Sequence, residues 1–65
     1  MPLLHPDGRL VIPTELGEIA FTAPIAYQER EGWREMVEVA YALDGDRYGF
    51  KVGGYDRSLP LVIDP

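Results

Sequence analysis

Residues 33–52 read WREMVEVAYALDGDRYGFKV, and this stretch decides the fold class of the chain. Apolar side chains alternate with small or polar ones on both sides of residues 44–46, whose sequence Asp-Gly-Asp is a turn signal. Alternation with a period of two places successive side chains on opposite faces of a β-strand. The stretch therefore predicts one long β-hairpin from Trp33 to Val52, which we expect to form the centre of the domain.

A helix is the alternative for residues 35–43, EMVEVAYAL. Four apolar residues of this segment also lie at helical spacing: Met36, Val39, Ala40 and Leu43. The segment is nevertheless rich in good strand formers such as Val37 and Tyr41, and its turn leads directly into a second alternating segment. The pattern therefore favours strands.

Turn signals recur every few residues along the rest of the chain. Between them lie six segments rich in β-branched and aromatic residues: RLVIP, GEIAFTA, PIAYQERE, WREMVEVAYAL, RYGFKV and PLVID. We predict a single all-β domain over residues 1–65. It is a small antiparallel meander of about six short strands, which either stays open or curls into a sandwich or barrel.

The alternation also predicts which face of the sheet is the core. Its apolar set is Ile19, Phe21, Ile25, Tyr27, Val37, Val39, Tyr41, Leu43, Tyr48, Phe50 and Val52. The opposite face carries Glu18, Ala20, Thr22, Ala26, Met36, Glu38, Ala40, Ala42, Gly49 and Lys51. A solvated face is normally more polar than this one, so we expect another sheet or another copy of the chain to cover part of it.

Length and composition restrict the chain to a few classes of protein. A domain of 65 residues buries only about 60% of the surface of its unfolded chain, so its core is thin. The chain has no cysteine and one histidine, so neither disulfides nor a structural metal are expected to stabilise it. We therefore expect self-association, or contact with the other domains of a parent chain, to supply the stability that the thin core lacks. No segment predicts a signal peptide or membrane insertion.

The charge and the possible chemical groups argue against nucleic-acid binding and catalysis. A net charge of −5, with the basic residues dispersed, repels a phosphate backbone. His5 has no second histidine or cysteine with which to share a metal. The carboxylates of residues 29–35 cluster around a predicted turn, and Ser58 lies in no nucleophile motif. We predict no enzyme activity, no catalytic residue, no metal and no cofactor.

Trp33 is the one aromatic residue that we single out as a candidate contact residue. It follows the predicted turn at Glu31-Gly32, whereas Tyr27 and Tyr48 lie on the predicted core face. An exposed indole beside charged side chains is typical of platforms that bind sugars or peptides.

The closing stretch VGGYDRSLPLVIDP predicts an ordered connection into an edge strand. Gly53 and Gly54 permit backbone angles that other residues avoid, and Asp56 can accept hydrogen bonds from nearby amides. Arg57 can pair with a carboxylate. Pro60 suits the start of an edge strand, at which the chain continues or another chain docks.

The chain resembles the region immediately upstream of the SBBP repeats, a β-propeller-type repeat, in large bacterial secreted proteins. The resemblance runs from about Asp7 to Pro65 through DGRLVI, GEIAFTAPIAYQE, VEVAYAL and YGFKVGGYDRSLPLVIDP, and is most specific at residues 24–29 and 53–65. It implies an extracellular or cell-surface location and a fragment boundary at Pro65, where the repeats would begin. It carries over no catalytic residue. Tyr55, Asp56 and Arg57 match its closing phrase as structural determinants.

These observations predict a non-catalytic structural module of a bacterial extracellular or surface repeat protein, which self-associates through its sheet faces or edges into a homo-oligomer. The alternative is a module that binds carbohydrate or a surface polymer through Trp33.

Overall fold

The computed structural model describes residues 1–64, and these residues form eight β-strands and no helix. The strands are β1 (Leu3–Leu4), β2 (Leu10–Thr14), β3 (Gly17–Phe21), β4 (Ile25–Arg30), β5 (Trp33–Val37), β6 (Val39–Asp44), β7 (Arg47–Val52) and β8 (Val62–Asp64). The all-β prediction is confirmed, and the helical alternative for residues 35–43 is wrong. Pro65, the expected boundary, lies outside the described residues.

The strands form three small antiparallel sheets, none of which closes into a barrel. Their strand orders are β1-β2-β3, β5-β4-β8 and β6-β7. The first sheet adds the two-residue strand β1, which is too short to give a sequence signal. The turn between β2 and β3 is fixed by Thr14, whose hydroxyl donates to the carbonyl of Gly17 at 2.6 Å and accepts from the amide of Leu16 at 3.2 Å.

The predicted hairpin from Trp33 to Val52 is wrong in its extent because the first strand breaks at Glu38. Before the break, β5 pairs with β4; after it, β6 pairs with β7, with Val39 opposite Val52. The amide of Gly53 donates to the carbonyl of Glu38 at 2.8 Å, so the chain leaving β7 holds the break point. Val37 and Val39 stay in phase across the break, and for this reason the alternation gives no sign of it.

The molecule is elongated. Its principal extents are 47 × 20 × 18 Å and its radius of gyration is 14.0 Å. A compact chain of this length has a radius of gyration of about 11 Å. The three sheets therefore enclose little common interior.

The core is smaller than predicted, and on β4 it lies on the other face. Besides Pro2, the buried residues are Leu10, Ala26, Gln28, Val37 and Tyr41. Val37 and Tyr41 were predicted there, but Ile25 is 47% exposed while its neighbour Ala26 is fully buried. The reason is the segment that follows β7, because it packs over the Ala26 and Gln28 face of β4 and leaves the Ile25 face open.

Other residues of the predicted core are more than one third exposed in the single chain: Ile19, Phe21, Leu43, Tyr48 and Phe50. Apart from Ala26, the residues of the second face are also exposed. Both faces of the β6-β7 sheet thus carry uncovered apolar surface.

Candidate functional site

Gln28 fixes the loop between β7 and β8 to the centre of β4. Its side chain is 2% exposed. The amide nitrogen Nε2 donates to the carbonyls of Asp56 at 2.7 Å and Leu59 at 3.2 Å, and Oε1 accepts from the amide of Asp56 at 2.9 Å. A glutamine side chain has both donors and an acceptor, so it can satisfy a backbone segment on both counts. The side chain of Gln28 therefore supplies hydrogen bonds to the loop that a paired strand would otherwise make at this point of β4.

Asp56 is the second anchor of this loop. Its Oδ1 accepts from the Ser58 hydroxyl at 2.6 Å and from the Ser58 amide at 2.9 Å, which closes a tight turn. Its Oδ2 accepts from Arg30 Nη2 at 2.9 Å, and Arg30 Nε lies 3.3 Å from Glu35 Oε2. The hydrogen bonds from Ser58 and the Arg30 guanidinium lower the pKa of Asp56 from 3.8 to about 2. The anchor is therefore strongest when Asp56 is ionised.

The two glycines before this loop differ in their structural setting. Neither adopts a positive φ, unlike Gly8, Gly17, Gly32 and Gly45. A Cβ at Gly53 would lie 3.1 Å from the Cβ of Glu38, whereas one at Gly54 would meet nothing within 4 Å. The backbone angles expected at both positions are thus absent, and close approach to Glu38 is the constraint at Gly53.

Tyr55 and Arg57 form a stacked pair beside the anchored turn. The guanidinium carbon of Arg57 lies 5.2 Å from the centre of the Tyr55 ring, a cation–π contact. Within residues 1–64 the carboxylate partner of Arg57 that we expected is not found; Arg30 is the arginine that pairs with Asp56. The residues Tyr55, Asp56 and Arg57 therefore make two separate contacts: Arg57 stacks on Tyr55, and Asp56 pairs with Arg30.

Trp33 lies on the same face of its sheet as the anchored loop. It is opposite Arg30 in the register of β4 and β5, and its side chain is 55% exposed. Arg30 is held by Glu35 and Asp56, so an open indole lies next to a fixed guanidinium with its carboxylate partners. On the opposite face, the guanidinium of Arg34 lies 4.2 Å from the centre of the Tyr27 ring. Trp33 as a contact residue stays a prediction.

An aromatic cluster lies on one face of the β6-β7 hairpin. Tyr41 is buried between Tyr48 and Phe50, with ring centres 6.1 and 5.5 Å away. Its hydroxyl donates to the carbonyl of Thr22 at 2.8 Å, and burial raises its pKa. The outer rings of the cluster are open to solvent, so the hairpin presents an apolar face next to the end of β3.

His5, Asp7 and Arg9 form a local ionic turn at the start of the chain. Asp7 lies 2.8 Å from both His5 Nδ1 and Arg9 Nε, and the backbone amide of Arg9 also donates to it. These contacts lower the pKa of Asp7, the backbone hydrogen bond contributing most. Residues 1–64 bring no three metal-ligating side chains together, and none of their elements is a helix able to cross a membrane.

Comparison with protein families matches residues 3–65 to the domain of unknown function DUF7948. The chain belongs to this family. No curated protein and no solved structure matches it.

Proposed function

We propose that this DUF7948 domain is a non-catalytic assembly module that associates with a second copy of itself, as part of a bacterial extracellular or surface repeat protein. The module contributes sheet faces and edges, and the second copy covers them. The observation that carries the proposal is the amount of surface that the single chain leaves open.

The accessible surface of the chain is 5031 Å². A compact monomer of 7.3 kDa exposes about 4,200 Å² by the usual scaling with mass. The surplus is about 800 Å², which is the share that one partner buries in an interface of standard size. Pairing with a second copy would therefore bury an area about as large as this surplus.

The chemistry of the open surface supports the same conclusion. Thirteen large hydrophobic side chains are more than one third exposed, against four apolar residues in the core. A chain this small usually depends on disulfides, a metal or a partner, and this one contains no cysteine. Exposed apolar patches on this scale typically mark interaction surfaces. Burial of this open apolar surface against a partner would therefore stabilise the chain.

The location rests on sequence resemblance. The closing phrase of the chain is similar to the one that precedes the SBBP repeats of secreted bacterial proteins. In such a setting, a domain that pairs with its copy would join two repeat-bearing chains.

Sedimentation equilibrium of the purified chain tests the proposal. We expect a mass of twice 7.3 kDa at micromolar concentration, shifting toward the single-chain mass on dilution. A folded species of single-chain mass throughout the micromolar range would reject self-association.

Binding of carbohydrate is a second candidate function, favoured by the open indole of Trp33 beside the fixed Arg30. Aromatic faces bind the apolar faces of sugar rings. Planar polar side chains beside them donate hydrogen bonds to the sugar hydroxyls or accept hydrogen bonds from them. Oligosaccharides should then bind wild type and lose most of their affinity in Trp33→Ala.

Met36→Ala is the matched control for Trp33→Ala, since Met36 is an exposed apolar residue on the other face of the same strand. Equal affinity in wild type and both variants, or no binding to any of them, would reject the sugar-binding role.

A further inference from the structure

We propose that β3 pairs antiparallel with β3 of a second copy across a two-fold axis, which joins two three-stranded sheets into one of six strands. This inference rests on the proposed self-association and names the strand that makes the contact. The observation behind it is that β3 is an edge strand without the features that normally prevent pairing.

One side of β3 is paired with β2 along its whole length. The register runs without a bulge from Gly17 opposite Thr14 to Phe21 opposite Leu10. On its other side, β3 has no partner strand among residues 1–64, and all five of its residues are exposed. Natural edges are protected by lysine, proline, bulges or shortness. The sequence GEIAF has one charge, Glu18, and none of these other protections.

The other edge strands are protected. β1 has two residues and β8 has three, so each offers only a short edge to another chain. β5 carries the adjacent charges of Arg34 and Glu35, and β7 carries the cations Arg47 and Lys51. β6 lies beside β1 and β4. β3 is therefore the edge strand with the least protection against pairing.

The sequence of β3 is complementary to itself in one register. With the two-fold axis at Ile19, this residue faces its own copy, Glu18 faces Ala20, and Gly17 faces Phe21. An aromatic ring opposite a glycine covers the gap that the missing side chain leaves. A register centred on Glu18 would place two carboxylates opposite each other, which is unfavourable. In the register centred on Ile19, no pair of facing residues is therefore unfavourable.

This pairing also covers apolar surface beyond the edge itself. Ile19 and Phe21 share a sheet face with Ile12 and Leu10, their partners on β2. Joining two copies makes this face continuous across six strands, a usual sheet size. The bond from the Tyr41 hydroxyl to Thr22 ties the end of β3 to the hairpin that bears the aromatic cluster. The exposed aromatic face of each hairpin thus adjoins the joined sheet.

Disulfide trapping tests the register directly, because the chain contains no cysteine of its own. Residues directly opposite in an antiparallel pair have Cα atoms about 4.5–5.5 Å apart, which suits a disulfide. Mild oxidation of Ile19→Cys should yield a covalent dimer in most of the protein. Leu16→Cys is the matched control, because Leu16 is fully exposed in the turn before β3. It should cross-link only at the level of random collision.

A charge at the axis provides the second measurement. Ile19→Lys should raise the dimer dissociation constant by at least about tenfold, since two ammonium groups would face each other at the paired edge. Leu16→Lys should leave the dissociation constant unchanged. Circular dichroism should show the β-sheet spectrum of wild type in both variants, because both side chains are exposed in the single chain.

The outcomes separate this inference from the proposed function. A wild-type dimer that persists in Ile19→Lys, with no trapping of Ile19→Cys above the Leu16→Cys control, would disprove β3 pairing and leave self-association intact. A wild type that is monomeric throughout the micromolar range would overturn both.

Discussion

We expect Gln28→Leu to lower the free energy of unfolding by about 3 kcal/mol, because it leaves partly buried backbone groups without partners at about 1–3 kcal/mol each. The carbonyl of Leu59 loses its donor and the amide of Asp56 loses its acceptor, while the carbonyl of Asp56 keeps only the amide of Leu59, at 3.2 Å. The total stability of a 65-residue chain is about 3–10 kcal/mol. The loss is therefore large enough to unfold much of the protein.

Urea unfolding at fixed protein concentration measures this effect. Glu29→Leu is the matched control, because Glu29 follows Gln28 on the same strand but is exposed. It should change the free energy of unfolding by no more than about 0.5 kcal/mol. Equal midpoints for the two variants would show that Gln28 does not hold the loop.

Acidification should destabilise the chain through Asp56. The pKa of this group in the folded state is about 2, below its ordinary value of 3.8. A carboxyl group with a lowered folded-state pKa contributes stability that is fully present above the unfolded pKa. We therefore expect this contribution to be constant near neutral pH, and to be lost as the pH falls from about 5 toward 2.

The difference between wild type and Asp56→Asn isolates this contribution from the other carboxyl groups. Asparagine keeps an oxygen that can accept from Ser58 but has no charge for Arg30. The thermal midpoint of wild type should exceed that of the variant at neutral pH and approach it in acid. Parallel curves over the whole pH range would contradict the role given to the Asp56 carboxylate.

Local sequence patterns were sufficient to predict where most of the strands lie. The segment RYGFKV is β7 residue for residue, and the apolar alternation of IAYQER lies in β4. The turns at Gly32 and Gly45 lie where they were predicted, because positive φ at these positions requires glycine or a close substitute. Neighbouring residues determine these features, and they are therefore visible in the sequence.

Features set by distant residues could not be predicted in this way. The break at Glu38 depends on the later approach of Gly53, and the buried face of β4 depends on the loop that Gln28 binds. The sequence does contain one usable signal, since Gln28 is a polar residue that shares its face of β4 with Ala26. Read together with the polar turn that follows Asp56, it could have indicated the anchor.

The candidate site likewise combines features set by neighbouring residues with features set by distant ones. The acceptor role of Asp56 follows from its position in a Tyr-Asp-Arg-Ser turn, and Ser58 supplies the donors. Its cationic partner is Arg30, twenty-six residues earlier, and not the adjacent Arg57. Local chemistry identifies the group that accepts, whereas the fold selects the partner.

We propose that a second copy of this chain covers about 800 Å² of the surface that one copy leaves open. Sedimentation equilibrium over a dilution series at neutral pH measures this most directly. We predict a reversible dimer, with a mass of twice 7.3 kDa at the higher concentrations. A single folded species of 7.3 kDa at every concentration would contradict the claim.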